Sequence, residues 1–176
     1  MNNNINLSDN NDPRNIHLFM SLKIGSYSYK SIDNIFCFFK SINNVMHLVF
    51  ATENNSIVSF NLLKNEKINE IKNAHHYLIS NIRYYLEENI KRDLILSISC
   101  DDRNIKLWDA KSWVCITNIF NAYLDGLLLS ACLLINSNYR YIISSNCNYE
   151  GGESIKVFDF MGNSINEINE SNYSTY

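Results

Sequence analysis

The sequence predicts an all-β fold built from about three four-stranded antiparallel units. Three observations carry that expectation. A short strand pattern recurs three times at a nearly constant interval. Aromatic residues make up 12% of the 176-residue chain, and with β-branched residues they suit a pleated, half-buried surface. No stretch sustains a helical hydrophobic period for more than about ten residues.

The recurring pattern is Ile57-Val58-Ser59-Phe60-Asn61, Ile105-Lys106-Leu107-Trp108-Asp109 and Ile155-Lys156-Val157-Phe158-Asp159, with starts 48 and 50 residues apart. Each reads apolar, variable, small or apolar, aromatic, then Asn or Asp. Two echoes accompany it. Ile32-Asp33-Asn34-Ile35 and Ile79-Ser80-Asn81-Ile82 lie 47 residues apart, and an apolar strand precedes each aromatic-ended one, at 45–52, 94–100 and 141–147. Fixed spacing of this kind marks repeat architectures.

Each unit is read as strands a to d. The first has strands over 32–39, 45–52, 56–62 and 67–71. The middle has 79–86, 94–100, 104–109 and 114–120. The third has 127–135, 141–147, 154–160 and 164–168. The segment 67–85 also threads as an amphipathic helix, but the repeat predicts strand, loop and strand there. An outer strand left from a preceding unit is expected over 17–24. Gly and Pro number only 5 and 1, so turns fall to Asn, Asp and Ser, which tolerate left-handed backbone and bond their own main chain. Asn is roughly one residue in six, and compositional bias accounts for much of that. The organisation expected is a disordered Asn-rich tail over 1–15, a repeat domain over 16–170 with blades at about 25–73, 74–121 and 122–170, and a disordered tail over 171–176.

These residues resemble a known family. The segment from Ala74-His75 through Ile79, Ile82 and Tyr84 to Asp101-Asp102-Arg103-Asn104 and Trp108-Asp109 is similar to a WD40 repeat. It has the Trp-Asp pair and a His where that family has Gly-His. The resemblance covers about residues 30 to 170 and is most specific in the middle unit. It implies a partial β-propeller, whose four-stranded sheets bury their faces only by stacking. It also implies a hydrogen-bonded structural tetrad of His75, Asp102, Trp108 and a strand-b hydroxyl, Ser97 or Ser99. Counting back from Trp108 favours Asp102 over Asp101. The same count puts Ile98 at the usual hydroxyl position, so either the set lacks a member or the turn holds an extra residue. Units one and three have Ser28 and Tyr123 near the His position and no Trp. The b–c turn of unit three, 148–153, is long and holds Gly151-Gly152. Alternation alone puts Ile105 and Leu107 on one face of strand c and Lys106 and Trp108 on the other.

The resemblance further implies a scaffold that binds protein or peptide partners, with no enzymatic activity and no cofactor. The d–a and b–c loops of a propeller share one end. That end is expected to gather His76, Tyr77, Arg103, Tyr123, Tyr149 and Glu150, and Tyr and Arg are favoured at binding hot spots. Propellers commonly need about four to eight blades to close, so three leave open sheet edges that invite self-association. The alternative is a truncated or degenerate piece of a larger propeller with no independent function.

Other classes find no support. Net charge is −3 with no Lys/Arg block, which argues against nucleic-acid or anionic-membrane binding. The five cysteines, Cys37, Cys100, Cys115, Cys132 and Cys147, are widely spread without a CxxC pair. They read as reduced thiols, and no metal site is expected. The N-terminus lacks the apolar core of a signal peptide, no apolar run is long enough to span a bilayer as a helix, and a cytoplasmic location is expected. Ser97 or Ser99 with His75 and Asp102 mimics a nucleophilic triad, but a GxSxG elbow is missing. Asp101-Asp102, with Glu87-Glu88 and Asp93 nearby in sequence, could suggest a metal or general-acid site, but turn chemistry accounts for Asp101-Asp102 and the repeat sends Glu87-Glu88 to the opposite end of the unit, so a joint carboxylate site is not expected. No phosphate-binding loop, dinucleotide fingerprint or EF-hand pattern occurs.

Overall fold

The structure is a computed structural model and describes residues 36–147 and 152–169. Among them the fold is all-β, a partial β-propeller of three blades. Blade 1 holds β1 (Phe36–Lys40), β2 (Met46–Ala51), β3 (Ile57–Asn61) and β4 (Glu66–Ile71). Blade 2 holds β5 (Ile79–Glu87), β6 (Arg92–Ser99), β7 (Asn104–Asp109) and β8 (Cys115–Ile119). Blade 3 holds β9 (Leu127–Ile135), β10 (Arg140–Cys147), β11 (Glu153–Asp159) and β12 (Ser164–Asn169). Each is an antiparallel meander in chain order. The segment 67–85 is β4, a loop and β5, as the repeat requires. The expected strand over 17–24, both terminal tails and the start of the first strand a lie outside the described residues.

Registers align the blades. Trp108 faces Ile95 across β6–β7, Phe158 faces Ile142 across β10–β11, and Phe60 faces Leu48 across β2–β3. Strand alternation then sorts the side chains. Ile95 and Trp108 pack against Phe39, Val49 and Ile57 in the core between blades 1 and 2. Leu94, Leu96, Ile105 and Leu107 pack against Leu128, Leu133, Ile142 and Phe158 in the core between blades 2 and 3. The expected split of Ile105 and Leu107 from Trp108 is therefore the division between two cores. Among the described residues only blade 2 is covered on both faces.

The turns follow Asn and Asp chemistry. Of the eight described non-glycine residues at positive φ, five are Asn44, Asn55, Asn65, Asn73 and Asn121, as expected for the residue that best tolerates this region. The last residue of each repeated strand pattern has one job in all three blades. Asn61 Oδ1 accepts from the backbone N–H of Leu63 and Lys64, Asp109 Oδ1 from Lys111 and Ser112, and Asp159 Oδ1 from Met161 and Asn163. In each blade it folds the c–d turn. Among the described residues no helix is long and apolar enough to cross a membrane.

Candidate functional site

The middle blade is braced from its core outwards. Ser97 lies in the centre of β6 and is completely buried. Its Oγ accepts from the Trp108 indole N–H at 2.8 Å and meets His75 Nε2 at 2.8 Å. Ser97 thus supplies the strand-b hydroxyl. Ile98 faces the other core, and Ser99 Oγ is buried without a partner. With the indole donating, the serine proton is available to Nε2, which assigns the imidazole proton to Nδ1. Burial is the main reason that His75 is held down to about 4 from 6.5, and the Lys106 ammonium adds to it. The imidazole is neutral at pH 7.

Asp102 departs from the expected tetrad. Its Oδ1 accepts from the N–H of Asn104 at 3.1 Å, an Asx turn. Its Oδ2 and His75 Nδ1 are both buried without a hydrogen-bond partner. Asp102 acts on the imidazole only through its charge, which opposes the effect of burial. The bonded set is His75, Ser97 and Trp108.

In blade 3 the His position is taken by Tyr123. Its hydroxyl donates to the Ser144 carbonyl at 2.7 Å, lies 2.9 Å from Ser144 Oγ, and accepts from the Lys156 N–H at 3.2 Å. Ser144 opposes Lys156 as Ser97 opposes Lys106, so a phenol reaches the serine that an imidazole reaches in blade 2. In blade 1 the corresponding residue is Phe50, opposite Val58.

This bracing corrects two expectations. Tyr123 is only 2% exposed; its ring and hydroxyl are inside the blade and cannot meet a partner. Arg103 is half-buried, with Nη1 donating to the Leu124 carbonyl at 2.7 Å. That bond belongs to a repeated latch. Arg103 sits at φ 53 in a b–c turn, its carbonyl accepts from Ala122 N–H at 2.9 Å, and its side chain holds the next d–a loop at Leu124. Asn55 sits at φ 57, its carbonyl accepts from His75 N–H at 3.4 Å, and its Nδ2 donates to the His76 carbonyl at 3.0 Å. Both residues lie two positions before the repeated strand pattern, a signal that the sequence carries.

The latched loops present His76 and Tyr77 to solvent, Tyr77 at 56% exposure. Leu78, Phe120 and Leu124, not expected there, are also exposed in the d–a loops, Leu124 at 94%. Tyr149 and Glu150 lie outside the described residues.

The triad mimic is inert for a physical reason. Ser97 has no exposed surface and its oxygen is held by the indole, so no acyl group can reach it. Among the described residues no group of three or more His, Cys, Asp or Glu is placed to hold a metal ion. No family model matches the chain, and no curated protein matches it either.

Proposed function

We propose that the chain is a non-enzymatic interaction scaffold of WD40-repeat type that binds a protein or peptide through the end carrying its d–a and b–c loops. One observation carries this reading: apolar and aromatic side chains are exposed on loops fixed from behind. Tyr77 and Leu78 follow a His75 anchored on Ser97, and Leu124 is clamped by Arg103. Holding such tips in place beforehand lowers the ordering cost of association, and aromatic anchors dominate binding energy. The test is capture of partners from native extract by the intact chain and by a Tyr77→Ala, Leu124→Ala variant. The reading expects a defined partner to be lost by the variant while its unfolding midpoint stays unchanged. Equal capture by both chains refutes it.

A second reading rests on blade 3. Ile155 holds the place of Ile105 and is 42% exposed, whereas Ile105 is completely buried. This favours a stack that is incomplete alone, either self-associating through its open side or lacking independent function. Sedimentation separates the cases: a defined oligomer with cooperative unfolding supports a working module, and a polydisperse sample supports the remnant.

A further inference from the structure

We propose that the cleft between blades 1 and 2, at the end opposite the latched loops, binds a single cationic side chain of a peptide, a lysine ammonium or an arginine guanidinium, on the carboxylate of Asp93. The cleft is formed by the a–b and c–d turns and encloses about 440 Å³, inside the rough 300–1,000 Å³ range of ligand sites.

Asp93 lines this cleft and is 8% exposed. Oδ1 accepts from the Tyr84 hydroxyl at 2.9 Å, and Oδ2 accepts a long bond from the Ile42 N–H at 3.4 Å. No described lysine or arginine is within ion-pair distance of it. A buried carboxylate without a counter-ion is costly. The neighbouring carboxylates are matched: Asp109 with Arg92 at 2.8 Å, and Glu66 with Lys64 at 3.7 Å. His47, also on the cleft, is not the missing cation. Its Nδ1 is engaged with Ser59 Oγ at 3.1 Å, and burial holds its pKa below the ordinary value despite the pull of Asp93.

The walls fit the stem of such a guest. Ile42, Val45 and Ile68 line the cleft with Trp113, and lysine and arginine lay their methylenes along apolar surface. Trp113 is held at φ 58 by its N–H bond to the Asp109 carbonyl at 2.7 Å. A bulky residue rarely adopts that backbone, and an indole face attracts cations. The rim lysines Lys91 and Lys111 disfavour a polybasic segment, which leaves one cation on an apolar stem as the class that fits. The inference is independent of the scaffold reading, because it uses the other end of the blades.

The test titrates the whole chain with Nα-acetyl-lysine methylamide, Nα-acetyl-arginine methylamide and Nα-acetyl-norleucine methylamide, following backbone and indole N–H resonances by NMR. The expected result is saturable shifts at Ile42, Asp93 and the Trp113 indole with a cationic probe and none with norleucine. Asp93→Asn weakens that binding about tenfold or more. No saturable shift with either cationic probe, equal binding of norleucine, or unchanged binding by a folded Asp93→Asn chain overturns the proposal. Should Asp93→Asn not fold, the comparison of charged and neutral probes on the unaltered chain decides alone.

Discussion

Acidification is expected to weaken the middle blade through His75. The ring is 2% exposed and held down to about 4 from 6.5, first by burial and then by Lys106. The folded imidazole therefore binds a proton less readily than the unfolded one. Between the two values the unfolded chain carries more protons, so stability rises with pH there. The contribution is fully present above about pH 6.5 and is lost as the pH falls towards about 4. At about 1.4 kcal/mol for each pH unit between the two values, the full loss is about 3 kcal/mol. About 2 kcal/mol of it falls between pH 7 and pH 5. The assay is urea unfolding across that interval, followed by tryptophan fluorescence, on the native chain and on His75→Gln. His47 also lies below its ordinary value because of burial, and it remains in the variant. The difference between the two profiles therefore isolates His75. Parallel profiles refute the reasoning, because the imidazole would then not be held neutral on Ser97.

Three further outcomes follow from the same geometry. Trp108→Phe places in blade 2 the residue that blade 3 carries at Phe158; losing the indole bond to Ser97 lowers stability by about 1–2 kcal/mol, measured by chemical denaturation. Tyr123→Phe removes the phenol's bonds to the Lys156 N–H and the Ser144 carbonyl, costing about 1–3 kcal/mol, and hydrogen exchange at Lys156 should accelerate. Burial pushes the Cys37 thiol up to about 12, while Cys147 is exposed; alkylation at pH 8 should modify Cys147 well before Cys37, read by peptide mass mapping.

The backbone plan was legible because strands alternate and repeats recur. Each four-stranded unit appears where the spacing put it, and β7 and β9 match to the residue. Local rules of this kind need only neighbours in sequence. The Ser97, Ile98 and Ser99 question was not decidable by counting, since a shift of one residue reverses the face. It took the pairing of Ser97 with Lys106 to settle it. Tyr123 misled for a related reason. A tyrosine in a loop reads as a surface anchor unless one knows that a serine 21 residues later lies within reach of its hydroxyl. Arg103 likewise read as a free contact residue because its partner, the Leu124 carbonyl, belongs to another blade's loop. In sequence Asp93 reads only as one acidic residue near Glu87-Glu88 and Asp101-Asp102. Its setting arises where turns of two blades meet, and that is visible only after packing.

The same sheet unit has a different standing at each place in the stack. Leu94, Leu96, Ile105 and Leu107 of blade 2 are essentially sealed by blade 3. Their counterparts Tyr141, Ile143, Ile155 and Val157 are half-buried or exposed. A repeat array draws stability from its unit and from each neighbouring face, so among the described residues blade 2 gains from two cores and blade 3 from one. The strand at the far margin, β12, is exposed along its whole length and, among the described residues, is bonded on one side only, to β11. Strands with few buried contacts open first, so fraying proceeds inward from β12 towards the serine, imidazole and indole of blade 2. The latched loops that offer Tyr77 and Leu124 lie on either side of that most protected blade. On the proposed scaffold reading, a surface that holds its shape before a partner arrives is best rooted there.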